Sequence, residues 1–88
     1  MDRRTWLEAL AEESAELSQA AIKLIRAEGR NSNPTSVSAA AAYQNLLEEI
    51  ADVLICCCFL DVSFGDKRFQ SLAMKRYRRM EERMNGQG

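Results

Sequence analysis

The sequence predicts an all-α fold built from three helices, spanning about 6–28, 37–64 and 67–84. Three observations carry that prediction. Apolar residues recur at i, i+3, i+4 and i+7 through two long stretches, the repeat of a helix with one inward face. Few β-branched residues occur, and none alternate with polar ones over a strand length. One proline and four glycines are spread over 88 residues, so long helices meet few breakers.

Each element has its own signals. Thr5-x-x-Glu8 reads as a capping box, which starts the first helix near Trp6. Its apolar stripe is Trp6, Leu10, Leu17, Ala20, Ala21 and Leu24, and Gly29 is a natural stop. Arg30-Asn31-Ser32-Asn33-Pro34-Thr35 is rich in turn formers, and the residue before a proline avoids helix. Ser36 or Ser38 caps the second helix, whose stripe is Leu46, Ile50, Val53, Cys57, Leu60 and Phe64, with Gly65 as terminator. Asp66 caps the third helix, and Asn85–Gly88 is expected to fray. The second helix is also apolar off its stripe, at Leu47, Leu54, Ile55 and Phe59. A helix apolar on several sides needs cover from several sides, which points to a homo-oligomer with this helix at its centre.

The whole chain, 1–88, reads as one domain. At 47% apolar and 28% charged residues it is neither disordered nor of low complexity. The net charge of −1 hides an asymmetry: residues 1–64 carry ten acidic and five basic side chains, residues 65–88 three acidic and seven basic. An acidic body with a basic tail suits a metal–phosphate ligand. Met1-Asp2-Arg3-Arg4 opens into an amphipathic stretch, so no secretory signal is expected. Asp52 and Asp61 interrupt the run Ile50–Phe64, which is too short to cross a membrane. Cys56, Cys57 and Cys58 point in three directions on a helix and cannot chelate one ion together. With no histidine, a zinc site is not expected, and the three are read as buried small hydrophobes of a reducing, cytoplasmic compartment.

The chemistry concentrates in two stretches of one pattern, Glu12-Glu13-Ser14-Ala15-Glu16-Leu17 and Glu48-Glu49-Ile50-Ala51-Asp52-Val53. At about 100° per residue, Glu13 lies about 40° from Leu17, inside the apolar stripe, with Glu16 at its edge and Glu12 turned away. The same arithmetic around Val53 puts Glu49 inside, Asp52 at the edge and Glu48 away. Each helix therefore aims an i, i+3 pair of carboxylates toward its packing partner. Burying such a set uncompensated costs several kcal/mol per isolated charge, of order several kcal/mol each. Lys23 and Arg26 are too few to pair them all. Oxygen-only ligands select hard cations, so Mg²⁺ or Mn²⁺ is the expected neutraliser. A di-iron bundle would need Glu-x-x-His pairs that this chain lacks.

With these motifs on the page, the sequence resembles the MazG-like branch of the all-α NTP pyrophosphatases over roughly residues 6–64. That family is marked by E-E-x-x-E, a spacer, then E-x-x-D, matched here by Glu12, Glu13 and Glu16 and by Glu49 and Asp52. The surrounding LAEESAEL and NLLEEIADVL, and the Asn33-Pro34-Thr35 loop, are similar too. The resemblance implies that Glu13, Glu16, Glu49 and Asp52 hold Mg²⁺ and that Glu12 and Glu48 are accessory acids. It also implies a homodimer or homotetramer and cleavage of a nucleoside triphosphate to its monophosphate and pyrophosphate. Glu13 or Glu16 is the expected general base. Lys75, Arg78 and Arg79 of the tail, together with Lys23, are expected on phosphate oxygens, and Asn45 beside Glu49 or the substrate. Trp6 and Tyr43 are aromatic candidates for stacking on a base, Trp6 on its apolar stripe being read first as core and Tyr43 as either. Where related phosphoribosyl-ATP pyrophosphatases carry a Tyr-His pair, this chain has Leu54-Ile55-Cys56, which discounts that substrate.

Two other readings compete with this one. A non-catalytic oligomeric module binding nucleotide or protein would keep the helices without needing metal. Nucleic-acid binding through the tail is disfavoured, because Met80-Glu81-Glu82 interrupts a short basic stretch beside an acidic body.

Overall fold

The structure, a computed structural model, describes residues 2–29 and 38–86. The expected loop 30–35, and Ser36 as an alternative cap, lie outside the described residues. Three α-helices follow in order: α1 (Arg3–Ala27), α2 (Ala39–Phe59) and α3 (Lys67–Gly86). No strand occurs among the described residues, and no helix there is long and apolar enough to cross a membrane.

Local chemistry sets the boundaries, and three differ from the sequence expectation. α1 starts three residues before Trp6, because Asp2 rather than Thr5 is its cap. The Asp2 carboxylate accepts from the Thr5 backbone N–H at 2.9 Å and from the Thr5 hydroxyl at 2.8 Å. The Thr5 N–H bond holds the Asp2 carboxyl below its usual pKa. An acid one turn upstream thus outcompetes the Thr5–Glu8 box, and Glu8 instead meets Arg4 at 3.0 Å on the exposed surface. Gly29 ends α1 as expected, at φ +79°, its N–H bonded to the Arg26 carbonyl at 3.1 Å.

α2 is capped by Ser38, whose Oγ accepts from Ala41 N–H at 3.1 Å. It ends at Phe59 rather than Phe64, and Gly65 is not its terminator. Asp61 takes the left-handed conformation, φ 63°. Its N–H bonds Cys58 O at 3.1 Å while the Val62 N–H bonds Cys57 O at 3.1 Å, a Schellman closure. A short polar side chain tolerates that backbone, so aspartate does here what a glycine was expected to do four residues later. Asp66 caps α3 as expected, accepting from Arg68 N–H at 2.7 Å, and Phe69 packs edge-on to Phe64 with centroids 5.2 Å apart. α3 continues through Asn85 to Gly86, past the expected point of fraying.

α1 and α2 form an antiparallel hairpin: Trp6 near the start of α1 stacks on Phe59 at the end of α2, centroids 4.2 Å apart. Ala20, Ala42 and Cys56 are the buried side chains along this seam. Their small size lets the two backbones approach closely. Leu10, Leu17, Leu24, Leu46, Val53 and Leu60 flank it half-buried, whereas Ile50 and Phe64, expected inward, are exposed. Ala21, also expected inward, is exposed, and the α2 seam is turned toward Ala42, Glu49 and Cys56. Among the described residues, α1 and α2 are the only helices that pack together, and α3 touches neither.

Two glycine-type positions give predictions of opposite sign. Gly29→Ala should lower stability by about 1 kcal/mol from left-handed backbone strain alone, because a new methyl there would meet no atom within 4 Å. Asp61→Gly should leave stability unchanged or raise it by up to about 1 kcal/mol. Urea unfolding followed by circular dichroism checks both.

Candidate functional site

The antiparallel seam brings the two acidic stretches face to face. Glu13 of α1 and Glu49 and Asp52 of α2 place carboxylate oxygens within 4.8 Å of one another. Glu13 and Glu49 are half-buried and Asp52 is exposed, matching the inside and edge positions read from helical phase. One oxygen of each buried acid, Oε2 of Glu13 and Oε2 of Glu49, is shielded from solvent with no hydrogen-bond partner. Buried polar atoms are almost always paired, so two orphaned carboxylate oxygens in one cluster are informative.

Electrostatics agree with the geometry. Burial pushes the Glu13 carboxyl above its ordinary pKa, and the charges of Glu16, Asp52 and Glu49 push it the same way. Glu49 is raised likewise, by burial first and then by Glu16, Asp52 and Glu48. Glu16 is exposed, yet close enough to act on both. Among the described residues no cation is paired with any of these acids: the two ion pairs present are Arg4–Glu8 and Arg68–Asp66. Glu12 and Glu48, expected to turn away, are exposed. A hard divalent cation fits this donor set. The oxygens converge, two lack partners, and like charges drive each other toward protonation unless a positive charge intervenes.

The other expected residues are distributed unevenly. Asn45 is half-buried one turn before Glu49 on the same side of α2. Lys23 is exposed two turns beyond Glu16 on the same side of α1, over a shallow depression shared with Gln19, Ile22 and Arg26. Lys75, Arg78 and Arg79 belong to α3, and within one chain the structure does not bring them to the carboxylates. Tyr43 is exposed about 120° around α2 from Glu49 and does not share its side. Trp6 is half-buried against Phe59, so one ring face is already engaged.

The cysteines also divide. Cys56 is buried, Cys57 half-buried and Cys58 exposed, so only Cys56 is the small core hydrophobe expected of all three. The reason is the 100° step per residue, which cannot turn three neighbours inward together. Burial, and then the Glu13 charge, push the Cys56 thiol above its usual pKa.

Two features escaped the sequence reading. Arg76 and Arg83 join Arg79 and Met80 around a shallow depression on α3, a row whose i, i+3, i+7 spacing was available in the sequence. Arg3, Trp6, Phe59, Leu60 and Asp61 line an open cleft of about 500 Å³ at the end of the hairpin. That cleft depends on Asp61 ending α2 early, which periodicity does not reveal.

Compared with known proteins, the chain matches no family model, no curated protein and no solved structure.

The raised carboxyls set a pH dependence. An acid whose folded pKa exceeds its unfolded value favours the folded state below the unfolded pKa, and that contribution is lost as pH rises through the folded value. In chelator-treated protein, Glu13 and Glu49 should therefore make the thermal midpoint higher at mildly acidic than at neutral pH. Glu13→Gln/Glu49→Gln should flatten the profile. Differential scanning fluorimetry across this range checks it, and an unchanged profile in the double variant would contradict the assignment.

Proposed function

We propose that this chain is a divalent-cation-dependent nucleoside triphosphate pyrophosphohydrolase of MazG-like type. It cleaves a nucleoside or deoxynucleoside triphosphate to the monophosphate and pyrophosphate, as a homodimer or homotetramer in the cytoplasm. The observation that carries this reading is the convergence of Glu13 of α1 with the Glu49 and Asp52 pair of α2 across an antiparallel seam, with an unpaired buried oxygen on each helix. The motif resemblance supports it at the same residues, Glu13, Glu16, Glu49 and Asp52.

Those four side chains would hold the cation. Bound Mg²⁺ or Mn²⁺ supplies charge neutralisation for the triphosphate and lowers the pKa of water. The chain's own part is placement and proton handling. Attack of water on the α-phosphorus forms one P–O bond, breaks the bond to the bridging oxygen, and releases pyrophosphate and a proton. Glu13 or Glu16, the inward pair of α1, would take that proton. Glu12 and Glu48 at the rim would orient water or a second cation. Lys23 on the same edge would neutralise phosphate oxygens, and Asn45 would hold Glu49 in register. Lys75, Arg78 and Arg79 can act on phosphate only if α3 reaches a site on another copy.

Incubating the chain with a panel of nucleoside triphosphates and Mg²⁺ should release pyrophosphate and monophosphate in equal amounts, and chelator should abolish the reaction. Glu49→Gln should stay helical while losing more than about 100-fold in turnover and its thermal stabilisation by Mg²⁺. Full activity in that variant would sink the site. A wild-type chain that binds Mg²⁺ and nucleotide but never releases pyrophosphate would instead establish the non-catalytic binding module.

A further inference from the structure

The open cleft at the end of the hairpin combines an aromatic wall with one charge of each sign. Arg3, Trp6, Phe59, Leu60 and Asp61 surround about 500 Å³, within the size of a small-molecule site, about 300–1,000 Å³. One wall is the Trp6–Phe59 stack, its rings 2° from parallel, and Phe59 keeps 59% of its surface accessible. Such a wall suits a further planar ring. Arg3 and Asp61 are exposed beside it. They line one cleft without pairing: among the described residues the ion pairs are Arg4–Glu8 and Arg68–Asp66. Asp61 has a second distinction. Among the described residues it alone, glycine aside, takes a positive φ, 63°. Glycine would hold that backbone without strain, so what aspartate adds there is its carboxylate.

Position ties the cleft to the acids. Trp6 precedes Glu13 by seven residues on α1, and Phe59 follows Asp52 by seven on α2. Seven residues are two turns, which keeps the same side of each helix and moves about 10 Å along it. A nucleoside triphosphate with its α-phosphorus at the carboxylates would reach the cleft with its base. The polar groups there select among bases. A guanidinium presents two parallel N–H donors, which match O6 and N7 of guanine. A carboxylate accepts from two adjacent donors, which guanine supplies as N1–H and its 2-amino group. Both edges lie away from N9, so the ribose is free to leave the cleft toward the acids. Adenine would set its 6-amino donor against Arg3 and its bare N1 against Asp61, and pyrimidines have no N7 edge. We propose that this cleft is a base subsite for guanine, with Arg3 on O6 and N7, Asp61 on N1–H and the 2-amino group, and the Trp6–Phe59 stack against the ring. The proposal rests on the hydrolase reading for its substrate, a guanosine or deoxyguanosine triphosphate, and supplies the base that the acidic motif leaves open.

The test reads binding apart from hydrolysis. Trp6 is the one tryptophan of the chain, so its emission reports a ring packed in the cleft. Guanosine monophosphate, titrated into the full chain with Mg²⁺, should quench that emission with a Kd at least about tenfold below that of adenosine monophosphate. Asp61→Asn keeps a side chain that tolerates the left-handed backbone, so its helical circular dichroism should match the wild type. The amide presents one acceptor and one donor, which match N1–H and the 2-oxo group of xanthine. This variant should bind guanosine monophosphate about tenfold more weakly and prefer xanthosine monophosphate. A gain for xanthine cannot arise from a damaged fold. Equal binding of all the mononucleotides by the wild type, an unresponsive Trp6, or an unaltered ranking in Asp61→Asn each overturns the subsite. Guanine-selective binding without pyrophosphate release from guanosine triphosphate keeps the subsite and removes the hydrolase, and pyrophosphate release without base preference does the reverse.

Discussion

Everything in the hairpin is arranged around acids that repel one another across a seam of very small side chains. Alanine at 20 and 42 and cysteine at 56 occupy the line of closest approach. Larger residues there would hold the helices apart and relieve the crowding of Glu13, Glu49 and Asp52. The seam does the opposite: it gains little apolar burial and presses the Glu13 and Glu49 carboxylates into a half-buried position where burial and neighbouring charge raise their pKa values. A local rule of good packing is broken in one place, and such places are where function is found in proteins whose other features are consistent.

The cost of that arrangement is visible in the rest of the chain. With only three apolar side chains buried among the described residues, the hairpin resembles one face of a larger core more than a finished domain. Small domains already bury a low share of their surface, and this one also devotes part of its sole helix contact to charge. Stability must come from outside the seam. A cation of the kind proposed above would neutralise the acids and remove the repulsion that opens the seam, and cover over the exposed apolar side chains would fix the separation of the carboxylates.

The sequence made the helical class, the three-helix order and the acid pairs legible, for one reason. A period of 3.6 residues determines which side chains share a face, and Glu13, Glu49 and Asp52 came together as phase alone required. The failures also have physical causes. Asp2 replaced Thr5 as cap because two signals a turn apart compete, and the sequence does not rank them. Asp61 ended α2 before Gly65 could, because left-handed backbone is open to aspartate as well as glycine. The inward line of α2 ran through Ala42 and Cys56 rather than Ile50 and Phe64. Hydropathy alone points to large residues as core, whereas a seam of closest approach selects small ones. The separation of α3, and with it the distance of Lys75, Arg78 and Arg79 from the acids, is a tertiary fact that no local pattern encodes.

Cys56 bears on which donor atoms the cluster offers. It follows Asp52 by one turn on the same face, buried beside the acids, and a thiolate there would make the site attractive to soft metals. The surroundings prevent this. Burial and the Glu13 charge keep the thiol above its ordinary pKa, so near neutral pH it stays protonated and acts as part of the apolar wall. No histidine exists in the chain to supply a nitrogen ligand. The ligands left are carboxylate oxygens, two of them unpaired, in a setting where each added negative charge makes a hard divalent ion more favourable. Burial and the crowded acids therefore act together on this face, keeping the neighbouring thiol neutral and leaving carboxylate oxygens as its donor set.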